Sequence, residues 1–205
     1  MAKGQRSQRS PARRIQIGAG RETDLRRRSG VREERTTLLV LTNGANTERQ
    51  YLNAVKAEPW IGAGKVSVVM ENGAPAAVVR EAARRRDRDD YDEAWVVCDV
   101  DDYDTAAAIA EGAARGVSIA WSVPCFEVWL ILHREALTAH VEDCRRAQVR
   151  LAQVVPGWDK TRVRFADFRE GVHDAVGRAR RLGDPPSANP STGMWRLIEA
   201  MKGNG

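Results

Sequence analysis

Three acids within four positions, Asp99, Asp101 and Asp102, follow directly on the apolar run 94–98. A short apolar run with polar ends reads as a strand buried on both faces of a parallel sheet. The C-terminal ends of such strands are where α/β proteins bind ligands. On an extended chain Asp99 and Asp101, two apart, point to one side. Carboxylates held that close repel unless a cation or a proton lies between them. The chemistry open to them is the binding of a hard divalent cation, Mg²⁺ (or Mn²⁺), through oxygen. A polar strand end running into a helix N-cap would show the same residues, and the stretch alone leaves the two readings even.

Two further clusters fall at expected strand ends. Asn43, Gly44 and Glu48 follow the first strand, and Ser122, Pro124 and Glu127 follow the fourth. In a parallel sheet all three clusters face one edge, beside helix N-termini that suit phosphate oxygens. Glu127 and Glu48 also read as acids complementing the dipole in a first helical turn, with Pro124 a natural first helical residue. Asp102 reads better as a helix cap than as a ligand. Lys160, after Gly157-Trp158-Asp159, could reach a phosphate, although most single lysines are only solvated. His133, at the end of an apolar segment, reads as structural, and His140 and His173 form no zinc spacing with it. The chain contains no Walker A, GxGxxG or GxSxG motif.

The elements that must position these residues follow from periodicity. Strands are expected at 36–42, 65–70, 93–98 and 117–122. Between them lie helices at 47–57, with Thr47 and Gln50 as a capping box, from about 77 to 90, and at 105–115, closed by Gly116. Four alternations of strand and helix imply an α/β fold with a parallel four-stranded sheet flanked by helices. Further helices are expected at 126–134, 138–154, 165–182 and 190–201. The organisation expected is a basic N-terminal arm over 1–35 without ordered structure, an α/β core over 36–135, and a helical C-terminal extension over 136–205 packed on that core.

The net charge of +5 is unevenly spread. Residues 1–36 hold eleven Lys/Arg against four acids, a net of +7, and the remainder is slightly acidic at −2. The arm could hold phosphates by counterion release or be a solvated leader, and these weigh about equally. The three cysteines, Cys98, Cys125 and Cys144, are odd in number and lack CxxC spacing, which argues against a disulfide framework and for a reducing, cytoplasmic setting. No apolar run reaches membrane-spanning length, and no apolar region follows the basic N-terminus as a signal peptide would require.

Four segments carry a resemblance. They are Leu38-Leu39-Val40-Leu41-Thr42-Asn43-Gly44-Ala45-Asn46-Thr47-Glu48-Arg49-Gln50-Tyr51-Leu52, Val96-Val97-Cys98-Asp99-Val100-Asp101-Asp102, the stretch Ser122-Val123-Pro124-Cys125-Phe126-Glu127-Val128-Trp129-Leu130-Ile131-Leu132-His133, and Asn189-Pro190-Ser191-Thr192. The chain resembles the RloB-like family, whose α/β domain is of the Toprim type found in topoisomerases, primases and related nucleases. The resemblance runs from about Leu38 to Leu197 and is most specific in the third segment. It implies a Toprim-like core and a Mg²⁺-dependent phosphodiesterase or nuclease linked to restriction-modification and phage defence. It implies nucleic acid (DNA or RNA) as partner, with defence-system proteins or a second copy as further candidates. Asp99, Asp101 and Glu127 would be metal ligands, with Lys160 on the phosphate.

Two positions depart from the family. Asn43-Gly44 stands where a glutamate followed by glycine is usual, and Ser122-Val123-Pro124 stands for Ser-Asn-Pro. The usual glutamate acts as acid/base or ligand. An asparagine can ligate through its carbonyl but takes up no proton at neutral pH. Glu48, five residues on, is the carboxylate placed to compensate. Asn43, Glu48, Glu127 and Lys160 are therefore the catalytic candidates. A non-catalytic Toprim module binding nucleic acid, nucleotide or a partner subunit stays open beside the enzyme. A haloacid-dehalogenase-type phosphatase, whose nucleophile motif Asp99-Val100-Asp101 mimics, ranks last because its later acidic pair is missing.

Overall fold

The first strand, β1 (Thr37–Thr42), has Leu-Leu-Val-Leu at its centre, and its alternate residues go to two separate cores. Leu38 and Val40 face one side, Leu39 and Leu41 the other, as the two-residue repeat of a strand requires. The computed structural model that shows this describes Met1 and residues 35–44, 46–100 and 105–203. The expected basic arm (apart from Met1 and Arg35) and the acids Asp101 and Asp102 lie outside the described residues.

The other strands are β2 (Lys65–Met70), β3 (Glu93–Asp99), β4 (Val117–Val123) and the two-residue β5 (Ser191–Thr192). They form one sheet in the order β2-β1-β3-β4-β5. The first four are mutually parallel, and β5 runs antiparallel to β4. The parallel four-stranded sheet expected from the sequence is thus a mixed sheet of five. The correction has a physical reason. Two residues show no periodicity, and Ser191-Thr192 is held by partners remote in sequence. Gly193 N–H donates to the Trp121 carbonyl (2.7 Å), and the hydroxyls of Ser122 and Thr192 bond each other (3.0 Å).

Helices cover both faces. α2 (Pro75–Asp89) and α3 (Thr105–Arg115) bury Val78, Val79, Ala82 and Ala108 against Leu39, Leu41, Val96 and Cys98. Gly116 closes α3 at φ 62°, a conformation glycine adopts without strain. On the opposite face lie α1 (Thr47–Val55), α4 (Glu127–Leu132), α5 (Cys144–Val154), α6 (Val172–Ala179) and α7 (Met194–Lys202), making seven helices among the described residues. The core there is larger, centred on the fully buried Trp129, Tyr51, Phe126 and Phe168. Each such side chain contributes about 1.5–3 kcal/mol by leaving water.

Several helices are shorter than expected, and the one expected at 190–201 begins only at Met194, after β5. The segment expected at 138–154 becomes helical only at Cys144, where the Asp143 carboxylate caps the Arg146 N–H (2.8 Å). The segment at 165–182 is two 3₁₀ turns and then α6, the break falling at Gly171, which packs against the His133 backbone too closely for any Cβ. Pro124 is not helical; it follows β4, and α4 starts three residues later at Glu127.

Candidate functional site

The strand order reverses direction between β1 and β3, since β2 lies on one side of β1 and β3 on the other. Such a switch point leaves a crevice outside the carboxyl ends of the strands. Asn43 and Asp99 stand on its two lips. Asn43 N–H donates to the Val97 carbonyl (3.1 Å), continuing the β1–β3 ladder one residue past β1. Asp99 ends β3 in register with Ser122 of β4, and the next N–H, of Val100, bonds the Ser122 carbonyl (2.9 Å).

Three of the other candidate residues converge here from distant parts of the chain. Glu127, the first residue of α4, is only 3% exposed. It is an acid in the first turn of a helix, as expected, but buried rather than solvated. Its carboxylate accepts a hydrogen bond from Gln148 Nε2 of α5 (3.2 Å) and stands 4.0 Å from Lys160 Nζ. The Lys160 side chain is 61% exposed and reaches in from solvent. Glu48, in the first turn of α1, folds back over Gly44, where a Cβ would overlap its carboxylate. A side chain at 44 would push that carboxylate out of its place. The Glu48 carboxyl is raised above the ordinary range, chiefly by burial and further by the Glu127 charge, against the opposing pull of its own backbone N–H and of Lys160.

Lys160 is held by a clasp from α1. Thr47 Oγ1 donates to the Lys160 carbonyl (3.3 Å), Gln50 Nε2 donates to the Thr161 carbonyl (2.9 Å), and Gln50 Oε1 accepts from Val163 N–H (3.0 Å). This corrects the expected capping box. Thr47 is the first helical residue, Asn46 holds the N-cap position without a side-chain bond, and both polar side chains of the motif hold the lysine loop instead. Asp159 tightens the loop by accepting from the Thr161 N–H and hydroxyl (2.8 Å each).

Sequence reasoning missed Gln148, Cys125 and Cys144. Cys125 is buried two residues before Glu127; the Cys144 thiol, the Glu127 carboxylate and the Asp99 charge all lie near it, and together with burial they push its thiol far up. No local pattern marks Gln148, because its partner is 21 residues away. Asp101 lies outside the described residues, so its expected pairing with Asp99 has no geometry here. Among the described residues no three His, Cys, Asp or Glu side chains are grouped as a metal site would need.

Mg²⁺ binds through one or two carboxylates and keeps several waters, so a full protein cage is not the relevant standard. Asp99 and Glu127 offer carboxylate oxygens, the donor type that a hard cation of that kind takes.

A mostly parallel α/β sheet with a topological switch point defines a broad class of proteins that bind ligands outside the carboxyl ends of their strands. Within that class the family model for RloB-like proteins matches residues 38–201, and the chain belongs to the RloB-like family. No curated protein and no solved structure matches it. No helix among the described residues is long and apolar enough to cross a membrane.

Proposed function

We propose that this chain is a Mg²⁺-dependent phosphodiester-cleaving enzyme with a Toprim-type core, a nuclease acting in the cytoplasm against foreign nucleic acid. The observation that carries this reading is the buried Glu127 carboxylate, set beside Glu48 and Lys160 at the sheet edge that also holds Asp99. A Mg²⁺ ion held there would polarise a phosphoryl oxygen and lower the pKa of a water nucleophile. Asp99 and Glu127 would hold it, with Asp101 and the Asn43 carbonyl as further oxygens. Gln148 fixes the Glu127 carboxylate in orientation. Lys160, exposed and clasped to α1, neutralises a non-bridging phosphate oxygen as the chain of a DNA or RNA crosses the edge. Glu48, the carboxyl that burial and Glu127 hold toward its protonated form, takes the proton-handling part that Asn43 cannot perform.

One residue favours a second reading. Asn43 stands where the family carries a glutamate, which suits a Toprim module that binds nucleic acid, nucleotide or a partner subunit without turnover. The deciding experiment incubates wild type and Asn43→Glu with single- and double-stranded DNA and RNA, with and without Mg²⁺. Metal-dependent cleavage, faster in Asn43→Glu and lost in Asp99→Asn, supports the enzyme. No cleavage by either form, with nucleic-acid binding unchanged in Asp99→Ala plus Asp101→Ala, supports the binding module.

A further inference from the structure

The sheet ends on one side in a long strand and on the other in a stub. β2 has six residues and stands at one edge, and the two-residue β5 stands at the other. β1 is buried almost throughout, whereas every residue of β2 is exposed or half-buried. Yet Lys65-Val66-Ser67-Val68-Val69-Met70 has the composition of an interior strand, mostly β-branched and apolar, with no proline. Glu71 N–H donates to the Thr42 carbonyl (3.0 Å), so the odd-numbered residues of this strand turn their backbone toward β1. Alternation then turns the N–H and C=O groups of Val66, Val68 and Met70 outward. Among the described residues no donor or acceptor meets those outward groups. Such an edge is normally blunted by proline, a bulge or charge along it; here the one charge, Lys65, stands at the first residue.

We propose that β2 pairs antiparallel with β2 of a second copy of this chain, across a twofold axis at Val68, joining the two sheets into one. The strand is complementary to its own reverse. With Val68 opposite itself, Val66 meets Met70, Ser67 meets Val69, and Lys65 meets Glu71 of the second copy. Val66, Val68 and Met70 carry the outward groups, so each of these opposed pairs exchanges both of its hydrogen bonds. Their side chains share one face of the sheet, apolar against apolar. At each end a base faces an acid. Lys65 makes no ion pair among the described residues, its Nζ lying 4.2 Å over the Tyr91 ring. Glu71 gives Oε2 to Arg85, which leaves Oε1 for the incoming lysine. A shift of two residues, the smallest that keeps outward groups opposed, sets Lys65 against Val69 or Gly73 and loses the ion pair. The stub β5 offers no comparable second edge, so the pairing closes at a dimer instead of growing into a fibre.

The test is sedimentation velocity on the full chain across the micromolar range, with residue-resolved amide exchange on the same samples. A species of twice the 22.7 kDa chain mass is expected. The Val66, Val68 and Met70 amides should exchange slowly in that dimer and fast on dilution, while the inward Val69 amide stays protected throughout. Val68→Pro removes the central outward N–H at a position where an edge strand tolerates proline, and should give a folded monomer. Lys65→Glu sets like charges opposite each other at both ends. Being at an exposed position, it keeps the fold even if the proline variant does not, and its dimer should dissociate at least tenfold more readily. A wild type that stays monomeric, a dimer whose outward β2 amides exchange freely, or a dimer equally stable in Lys65→Glu would overturn the proposal. A monomer with those amides protected would put another segment of the same chain on β2 and overturn it as well. None of these readouts depends on metal binding or cleavage, so they stand apart from the test of the proposed function.

Discussion

The same two helices present two polar pairs, one fully buried and one half-buried, built on opposite principles. At one end Glu48 of α1 meets Glu127 of α4. One turn further along α1, Tyr51 meets His133, the residue just past α4. The second pair is closed. The Trp129 carbonyl can only accept, so His133 Nδ1 must donate to it (2.8 Å); Nε2 is then the acceptor for the Tyr51 hydroxyl (2.9 Å). Rings of Tyr51, Trp129 and Phe168 stand edge-on around the imidazole. Burial pushes the His133 pKa down to about 3 and the Tyr51 hydroxyl far up, so both are neutral, with their hydrogen bonds made inside the protein. The first pair is open: two acids, one amide donor, the Glu48 backbone N–H and a lysine at 4.0 Å that is mostly in solvent. A buried polar group whose partners are all internal specifies the fold. One whose charge the protein leaves unbalanced is shaped for something that arrives from outside.

Acid should break the closed pair most strongly. The folded pKa of His133 lies below the unfolded value near 6.5, so the unfolded chain binds the extra proton between these values. Stability should fall as pH drops from about 6.5 toward 3, by up to about 1.4 kcal/mol per pH unit from this residue. Denaturant titrations across that range should show the slope in wild type and lose it in Tyr51→Phe plus His133→Leu. Tyr51→Phe alone leaves the imidazole acceptor unpaired and should cost about 1–3 kcal/mol at pH 7, with divalent-metal affinity unchanged. If metal affinity falls equally, the two ends are not separable.

The open end should respond in function more than in stability. Gln50→Ala removes both side-chain bonds to the lysine loop and strands the Val163 N–H; a loss of about 1–2 kcal/mol is expected, with weaker nucleic-acid binding that Lys160→Gln does not weaken further. The smallest effect, and the one of opposite sign, belongs to Glu48→Gln. A carboxyl whose folded pKa is raised contributes stability below its unfolded pKa and loses it as pH rises through the folded value. Glu48→Gln should therefore be more stable than wild type at pH 7–8 and show no such advantage below about pH 4, read as melting temperature against pH.

The contrast between the ends also marks what the sequence could tell. The parallel βα repeats, both faces of β1 and β3, and α3 with its closing glycine were legible because each repeats over many residues. Glu48, Glu127 and Lys160 were legible as types, and Asp99 by its place at a strand end. That Glu127 is buried and Lys160 stands beside it was not, since it depends on Gln148 and on the α1 clasp, contacts across 21 and more than 100 residues. Thr47 and Gln50 misled for a related reason: the same side chains that cap a helix locally can instead bind a remote backbone, and spacing does not tell the two apart. Two-residue β5 left no pattern at all.

The most direct measurement is a calorimetric titration of the full chain with Mn²⁺, wild type against Asp99→Asn and Glu127→Gln, with Tyr51→Phe as the control for folding. Saturable binding by wild type and Tyr51→Phe, weakened at least tenfold in each acid variant, is the expected result, a loss of about 1.4 kcal/mol or more in binding free energy. Absence of binding in wild type, or equal affinity in all four proteins, would contradict a metal site at this edge.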